Sequence, residues 1–502
     1  MLRGVIRMRP ATGPRKRALS FFAGCVLGGL LTSHALAQDA LPMPDWFARD
    51  LGRLQIPADA VSLYARELPS GAEVLSHNPQ TALRPGSTIK LVTSLLALEV
   101  LSDEPAFRTD FYLLGRAKRP LRNGQFDGDL LVRGSGDPTL DSAKLEALAR
   151  RLVKRGVKVI NGDIVLDTSN YPFARSDDAR FFAEIEAPFS APPAPLIVNG
   201  KTVTLLVKPL PKGAGVAVSL LPELPAVKLD TTLGFNKGKC DGAREAIELD
   251  VQGSAEQATV RVSGSYPLAC GETRRIISVL SAERYFAEAF LLAYEKAGGF
   301  VSGSVRSNLK ARSLGRLKPF ESIPSSPLPE ILREVDKHSN NLWAQLLFLR
   351  VGSVLARKPV EPQAAAASVD AWVRDNLPQA LPLKTESGAG MTAGERISAR
   401  GLVELLDHAN RARYAKVFFD SLSLVGVDGT AGSRMLGTPV AGNARVKTGT
   451  VSDARALTGR LKSASGSEIL FAILINHPRA GQALGLIDRL TERLQAGLAP
   501  RR

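Results

Sequence analysis

The sequence predicts an α+β chain built of several domains, and three observations carry that reading. Alternating apolar residues and helix-spaced apolar stripes occur side by side near both ends of the chain. Beyond an N-terminal leader about 465 residues remain, more than one ordinary core organises. About 250 residues separate the polar cluster around Ser87 from the one around Ser339, far beyond loop length, so whole domains are inserted between them.

The leader comes first. Arg3, Arg7, Arg9, Arg15, Lys16 and Arg17 form a basic region, Ala18 to about Leu31 is apolar, and Ala35-Leu36-Ala37 offers small residues for cleavage. This predicts a signal peptide over residues 1–37 and a periplasmic mature chain beginning at Gln38. The alternative, an uncleaved anchor, needs a longer apolar run to cross a bilayer. Cys25 lies inside that run, a poor context for lipidation. Without the leader's six cations the net charge falls from +16 to +10, a balance suited to peripheral attraction toward an anionic wall or membrane surface. Aromatics are only 6% of residues and no basic run interleaves with them, so no nucleic-acid partner is expected. In an oxidising compartment the remaining Cys240 and Cys270 predict a disulfide, the alternative being two buried thiols; no Cys-x-x-Cys spacing suggests a metal.

Ala60 to Ala65 alternates as a strand, and Pro69-Ser70-Gly71 turns it toward Val74 and Leu75, a hairpin just ahead of Ser87. Near the other end Ala444 to Val451 alternates around Val446, Thr448 and Thr450. Ala454 to Leu461, a turn at Ser463 to Ser467, and Glu468 to Asn476 complete a second hairpin that can pair with the first. A helix from Ala483 to Leu494, apolar at Ile487, Leu490 and Leu494, closes the chain. The two ends therefore build one domain, residues 38–103 and 315–502. In the insert, Phe111 to Asp167 mixes short strands with a helix at Ala143 to Leu152, Thr202 to Ser263 is strand-rich, and Ser281 to Ala297 is helical. We expect an α/β domain, residues 104–200 and 266–314, carrying a nested strand-rich domain, residues 201–265.

Pro85 and Gly86 break the chain ahead of Ser87, and Ile89, Leu91, Val92, Leu95, Leu96 and Leu98 then form a buried helix, so Ser87 is expected in its first turn. Lys90 shares that face and reaches the Ser87 hydroxyl. First-turn N–H groups point at any oxyanion formed there. In isolation Ser87 reads equally as a helix cap and Lys90 as a solvated charge. A second Ser-x-x-Lys at Ser307 and Lys310, and a second Ser-x-Asn at Ser76 and Asn78, read as surface polar residues. Context separates them. Ser339-Asn340-Asn341 follows Ser87, between helix-like stretches Pro329 to Val335 and Leu342 to Leu349, and Lys447-Thr448-Gly449 comes last, on a strand. Alone, the former is a helix cap and the latter an edge-strand charge beside a bulge.

Ser-x-x-Lys, Ser-x-Asn and Lys-Thr-Gly in this order form the set shared by penicillin-binding proteins and class A β-lactamases. The chain also holds Gly134-Ser-Gly-Asp-Pro-Thr-Leu140, Gly162-Asp-Ile-Val-Leu-Asp-Thr-Ser169, Ser190-Ala-Pro-Pro193, Ser326-Pro-Leu328, Glu386-Ser-Gly-Ala-Gly390, Val427-Asp-Gly-Thr430 and Lys447-Thr-Gly-Thr450. With these, essentially the whole mature chain resembles the D-alanyl-D-alanine carboxypeptidase/endopeptidases of the penicillin-binding protein 4 type, the low-molecular-mass class C penicillin-binding proteins. The resemblance implies a penicillin-binding/β-lactamase-like transpeptidase domain, an antiparallel sheet with helices, interrupted by a second domain that itself carries a third. Two departures stand out: Asn340, where the family usually has Asp, and Glu386 to Gly390, a loose version of a Gly-Ser-Gly-Leu loop.

By this resemblance Ser87 attacks the D-Ala-D-Ala carbonyl, Lys90 takes its proton, Ser339 relays a proton to the leaving D-alanine, and Asn341 holds the acyl amide and Lys90. Lys447 supplies positive potential, the Lys447-Thr448-Gly449-Thr450 strand binds substrate through the Thr448 and Thr450 hydroxyls, and the Ser87 and Thr450 amides form the oxyanion hole. Asp167 faces the cleft and pairs with the free amino group of a stem-peptide diamino acid, or else caps a turn at a strand end. No cofactor and no metal are implied. β-Lactams mimic the dipeptide and are trapped on the serine.

Elementary chemistry agrees. A serine hydroxyl needs a base, and none of His77, His338, His408 or His477 lies in a recognisable nucleophile context. Lysine becomes a base when burial or a cation such as Lys447 favours its neutral form. The expected function is a serine D-alanyl-D-alanine carboxypeptidase/endopeptidase acting on peptidoglycan stem peptides and cross-links. The alternatives are a β-lactamase, which normally lacks so long an insertion, and a catalytically silent wall-binding scaffold, which would have lost a motif residue.

Overall fold

The computed structural model describes residues 42–101, 105–116, 121–171, 191–308, 314 and 316–497. The leader with Cys25, the expected mature start Gln38, Ser190 and Lys310 lie outside the described residues.

A six-stranded antiparallel sheet joins the two ends of the chain. Its strands run, edge to edge, Glu73–His77, Val61–Leu68, Glu468–Asn476, Ala454–Lys462, Ala444–Val451 and Ser423–Leu424. Successive side chains of a strand point to opposite faces. In the central strand, Ile469, Phe471, Ile473 and Ile475 meet Phe47, Leu51, Ile487, Leu490 and Leu494, whereas Leu470, Ala472 and Leu474 join a core shared with the helices Lys90–Val100, Asn341–Ala356 and Ala399–Arg411. Helices cover both faces, which is why Glu468 to Asn476 reads as an almost unbroken apolar run.

The helix Lys90–Val100 lies deepest. Every residue from Lys90 to Ala97 is buried, as a helix apolar on all sides requires. Ser87 precedes it in a 3-10 turn, Gly86–Ile89, rather than in its first α-helical turn. The turn is tightened by the Thr88 hydroxyl, which donates to the Pro85 carbonyl at 2.9 Å. Residues three apart eclipse in a 3-10 helix, so the tighter winding stacks Lys90 on Ser87 more directly than an α-turn would.

The intervening residues build separate sheets. A mixed five-stranded sheet runs Val305–Asn308, Ile164–Asp167, Gly128–Gly134, Arg108–Gly115 and Glu321–Pro324. Its core includes the helices Ser142–Lys154 and Ala282–Lys296. Glu321–Pro324 belongs to this sheet although it follows residue 315, the expected return to the terminal domain. The strand-rich part likewise extends past residue 265. That position falls inside the strand Ala258–Pro267, and Thr273–Ser278 pairs with Thr202–Pro209. Cross-strand hydrogen bonding, which sequence periodicity does not show, sets both edges. Cys240 and Cys270 are bonded, with Cα atoms 4.9 Å apart. Among the described residues no helix is long and apolar enough to cross a membrane.

Candidate active site

Three segments far apart in sequence meet at the edge of the six-stranded sheet. The turn Pro85 to Ser87 lies against the strand Ala444–Val451 so closely that only glycine fits at the contact. A Cβ on Gly449 would come within 2.3 Å of the Pro85 carbonyl oxygen, and one on Gly86 within 3.1 Å of the Thr450 amide nitrogen. Asn476, at the end of the central strand, fixes the same turn: its Oδ1 accepts from the Arg84 N–H at 2.6 Å and its Nδ2 donates to the Arg84 carbonyl at 2.9 Å. The Arg84 guanidinium reaches Asp453, in the turn after Thr450, at 2.6 Å.

The Ser-x-Asn motif enters from between two helices. Leu328–Asp336 ends, Ser339 adopts a left-handed φ of 58°, and Asn341 opens the next helix. Asn340 caps that helix, its Oδ1 accepting from the Trp343 N–H at 3.2 Å. An aspartate would cap equally well, so the departure from the family pattern at this position keeps the helix cap.

These segments surround two buried lysines. Lys90 Nζ lies 3.0 Å from Ser87 Oγ, donates to Asn341 Oδ1 at 2.7 Å, and donates to the Ala389 carbonyl. Lys447 Nζ donates to Ser339 Oγ at 2.9 Å and to the Thr448 carbonyl at 3.0 Å. The register Lys447 opposite Thr458 opposite Ala472 puts Lys447 on the sheet face that packs against the helical core. Ser87, Ser339, Asn341, Thr448 and Thr450 line one cleft of about 560 Å³. Its Thr448 hydroxyl is held by Thr430, oxygen to oxygen 2.8 Å.

Both lysines are 0% exposed. Burial lowers the Lys90 pKa well below its ordinary value and the Lys447 charge lowers it further, while Glu395 and Asp336 oppose the shift. Burial also lowers Lys447, against the pull of Asp336. At neutral pH these shifts favour a Lys90 amine able to take a proton.

The remaining wall is the loop Glu386 to Gly390, whose shape the motif comparison left open. Glu395 organises it: one carboxylate oxygen accepts from the N–H groups of Ser387 at 3.0 Å and Gly388 at 2.9 Å. The loop thereby presents the Ala389 carbonyl to Lys90. Gly388 and Gly390 have positive φ, and a Cβ would strike Phe348 at the first and the Gly86 carbonyl at the second, each at 2.3 Å.

Asp167 is placed differently from the expectation. It is buried, its carboxylate accepts from Arg133 Nε at 2.7 Å and from the Ser169 N–H at 3.0 Å, and it is absent from the lining of the Ser87 cleft. The Arg133 guanidinium answers its charge, and the Ser169 N–H bond is the turn cap that was the second of the two expected places. His338 lines the cleft, with Glu334 3.9 Å away, while the hydroxyl of Ser87 is bonded to Lys90. Ser307 stands on an exposed strand of the insert.

Sequence reasoning missed Asp336, Glu395, the Ala389 carbonyl, Thr430 and the Arg84–Asn476 clamp. Only Asp336 and Thr430 left a signal. Asp336 occupies the next place in the stripe Leu328, Ile331, Leu332, Val335, where a charge breaks the apolar pattern. Thr430 ends the motif Val427-Asp-Gly-Thr430.

Comparison with known proteins agrees with this geometry. The D-Ala-D-Ala carboxypeptidase 3 (S13) family matches residues 48–493. The chain is 28% identical over 439 residues to the D-alanyl-D-alanine carboxypeptidase of Actinomadura sp. (strain R39), covering 85% of this chain and 79% of that protein. It is 24% identical over 452 residues to the D-alanyl-D-alanine carboxypeptidase DacB of Haemophilus influenzae, covering 86% and 88%. The crystal structure of penicillin binding protein 4 (dacB) from Haemophilus influenzae superposes with a TM-score of 0.72 at 23% identity, covering 90% of this chain and all of that one. A match spanning nearly the whole described chain settles the relationship: this protein belongs to the D-Ala-D-Ala carboxypeptidase 3 (S13) family.

Proposed function

We propose that this chain is a periplasmic serine D-alanyl-D-alanine carboxypeptidase, with endopeptidase capacity on peptidoglycan cross-links, that reacts through an acyl-enzyme on Ser87. The observation that carries the reading is a fully buried Lys90 amine 3.0 Å from the Ser87 hydroxyl. Lys90 takes the hydroxyl proton as Oγ forms a bond to the penultimate D-alanine carbonyl. The oxyanion is received by the Ser87 and Thr450 amides, a reading supported by the close approach of their two segments at Gly86 and Gly449. Ser339, bonded to Lys447, passes its proton to the leaving amine as the C–N bond breaks and is refilled by the proton that Lys90 took from Ser87, which leaves Lys90 neutral again. Asn341 orients both Lys90 and the acyl amide, and Lys447 with Thr448 and Thr450 binds the terminal carboxylate. Water then cleaves the ester. β-Lactams enter the same path and stop at the ester. The two ends of the chain supply this chemistry, and the residues inserted between them contribute none of the motif side chains.

Labelled penicillin tests the proposal. An adduct on Ser87 in the tryptic map, lost in Ser87→Ala protein that stays folded, supports it; an adduct on another serine ends it. Slow release of the label supports a peptidase, whereas rapid turnover would indicate a β-lactamase. Mass analysis of products from purified muropeptide monomers and cross-linked dimers then separates carboxypeptidase from endopeptidase action.

A further inference from the structure

One buried acid beneath the site has no part in the mechanism above. Asp336 is 0% exposed, on the last turn of the helix Leu328–Asp336. Its Oδ2 accepts from the Ser421 hydroxyl at 2.8 Å, and the buried Ser94 hydroxyl also acts on the carboxylate. A carboxylate in such a place costs stability unless opposite charge lies near. Opposite charge lies near: Ser339, three residues on, is bonded to Lys447 at 2.9 Å, the next residue's carbonyl accepts from Ser423, whose strand pairs beside Lys447, and both Lys447 and Lys90 act on the carboxylate.

Four buried titratable groups therefore surround the nucleophile. Lys90 and Lys447 stand against Asp336 and Glu395, all four 0% exposed. One Glu395 oxygen accepts from the Ser387 and Gly388 amides, whereas no backbone N–H among the described residues is bonded to the Asp336 carboxylate. Other neighbours are neutral or paired elsewhere. Ser94 faces Asp336 from the Lys90 helix; on the helix Ala415–Asp420, Lys416 pairs with Asp420, which also meets Arg445 at 3.1 Å. Lys337 turns away to Asp428 at 2.7 Å, and Glu330 and Arg333 on the acid's own helix are exposed.

We propose that Asp336 is a positioning residue for acylation, a buried counter-charge that sets the pH range over which Lys90 is neutral while Lys447 remains charged. It touches neither substrate nor Ser87 and acts through the two lysines. The sign follows from its charge. Asp336 raises both lysine pKa values, so removing the anion must lower both. Burial raises the pKa of Asp336 itself, so as pH falls it takes up its own proton and the parent comes to resemble a variant without the charge.

The inference rests on Lys90 acting as base, and the test separates the two. The rate of acylation by a chromogenic penicillin is measured from acid to alkaline pH in the parent and in Asp336→Asn, with adduct mapping at Ser87 in both. The expected result is a bell displaced to lower pH on both limbs. Asp336→Asn would then acylate severalfold more slowly than the parent on the alkaline flank. It would be faster on the acid limb, and the two profiles would converge where the parent carboxyl protonates. An unshifted bell, lower at every pH, overturns the inference and makes Asp336 merely structural. If the adduct is not on Ser87 in the parent, the functional reading fails instead. Should Asp336→Asn not fold, Ser421→Ala serves. It removes the hydrogen bond that favours the ionised acid, so the acid limb alone should move; an unmoved acid limb in folded Ser421→Ala protein overturns the inference equally.

Discussion

Asn476 holds both backbone polar groups of Arg84, accepting from its N–H at 2.6 Å and donating to its carbonyl at 2.9 Å, across 392 residues of sequence. This pair ties the approach to Ser87 onto the central strand of the sheet. Asn476→Ala should cost about 1–2 kcal/mol of stability, the scale of lost part-buried hydrogen bonds. It should slow acylation by about tenfold or more, since small displacements of a nucleophile are expensive. Thermal unfolding and penicillin acylation rates measured on one preparation check both. A stability loss with an unchanged rate would show that the 3-10 turn holds itself.

Lys90→Ala and Lys447→Ala should fail in different ways. Loss of the base lowers acylation by about 10²–10⁴-fold at every pH. Loss of Lys447 weakens carboxylate binding and also removes a cation that depresses the Lys90 pKa. The Lys90 pKa then rises, its neutral fraction at a given pH falls, and the acid limb of the profile moves up in pH. Rate profiles of both variants with a simple penicillin decide it, and a Lys90 variant reacting at the parent rate would refute its role as base.

Gly390→Ala tests the loop wall. The glycine has φ +86°, and the new methyl would sit 2.3 Å from the Gly86 carbonyl and 2.6 Å from the Ser87 amide nitrogen. Strain of about 1–3 kcal/mol is expected, together with displacement of Ser87 and a fall in acylation of about 10²-fold. A crystal structure or an acylation assay of the folded variant checks the displacement, and parent-like acylation would show that the loop yields instead.

The Cys240–Cys270 bond closes a separation of 30 residues in the strand-rich part. Replacing both by serine should cost about 3–4 kcal/mol of local stability in the chain-entropy model. Proteolysis there should quicken while acylation at Ser87 is unchanged, because none of the motif residues lies in that part. A parallel loss of acylation would show that the insert supports the site.

The sequence by itself determined what short stretches of backbone decide. The break at Pro85-Gly86, the three-residue spacing of Ser87 and Lys90, the alternation of Ala444 to Val451 and the stripe of Ile487, Leu490 and Leu494 are all local, and each element lies where its periodicity predicts. Even the apolar run Glu468 to Asn476 was legible as a strand, although only the tertiary structure shows its two separate cores. The domain edges were less legible, because Glu321–Pro324 and Thr273–Ser278 are assigned by their pairing partners and not by composition. Electrostatics was the least legible. A lysine in a sequence is a cation; the Lys90 pKa falls because the helix around it is buried and Lys447 approaches from another element, while Asp336 and Glu395 oppose the shift. Desolvation and charge coupling depend on what surrounds a group in space, so the reasoning that found Ser87 and Lys90 left Asp167 between a cleft and a turn cap, and its pairing with Arg133 and the Ser169 N–H shows only in the fold.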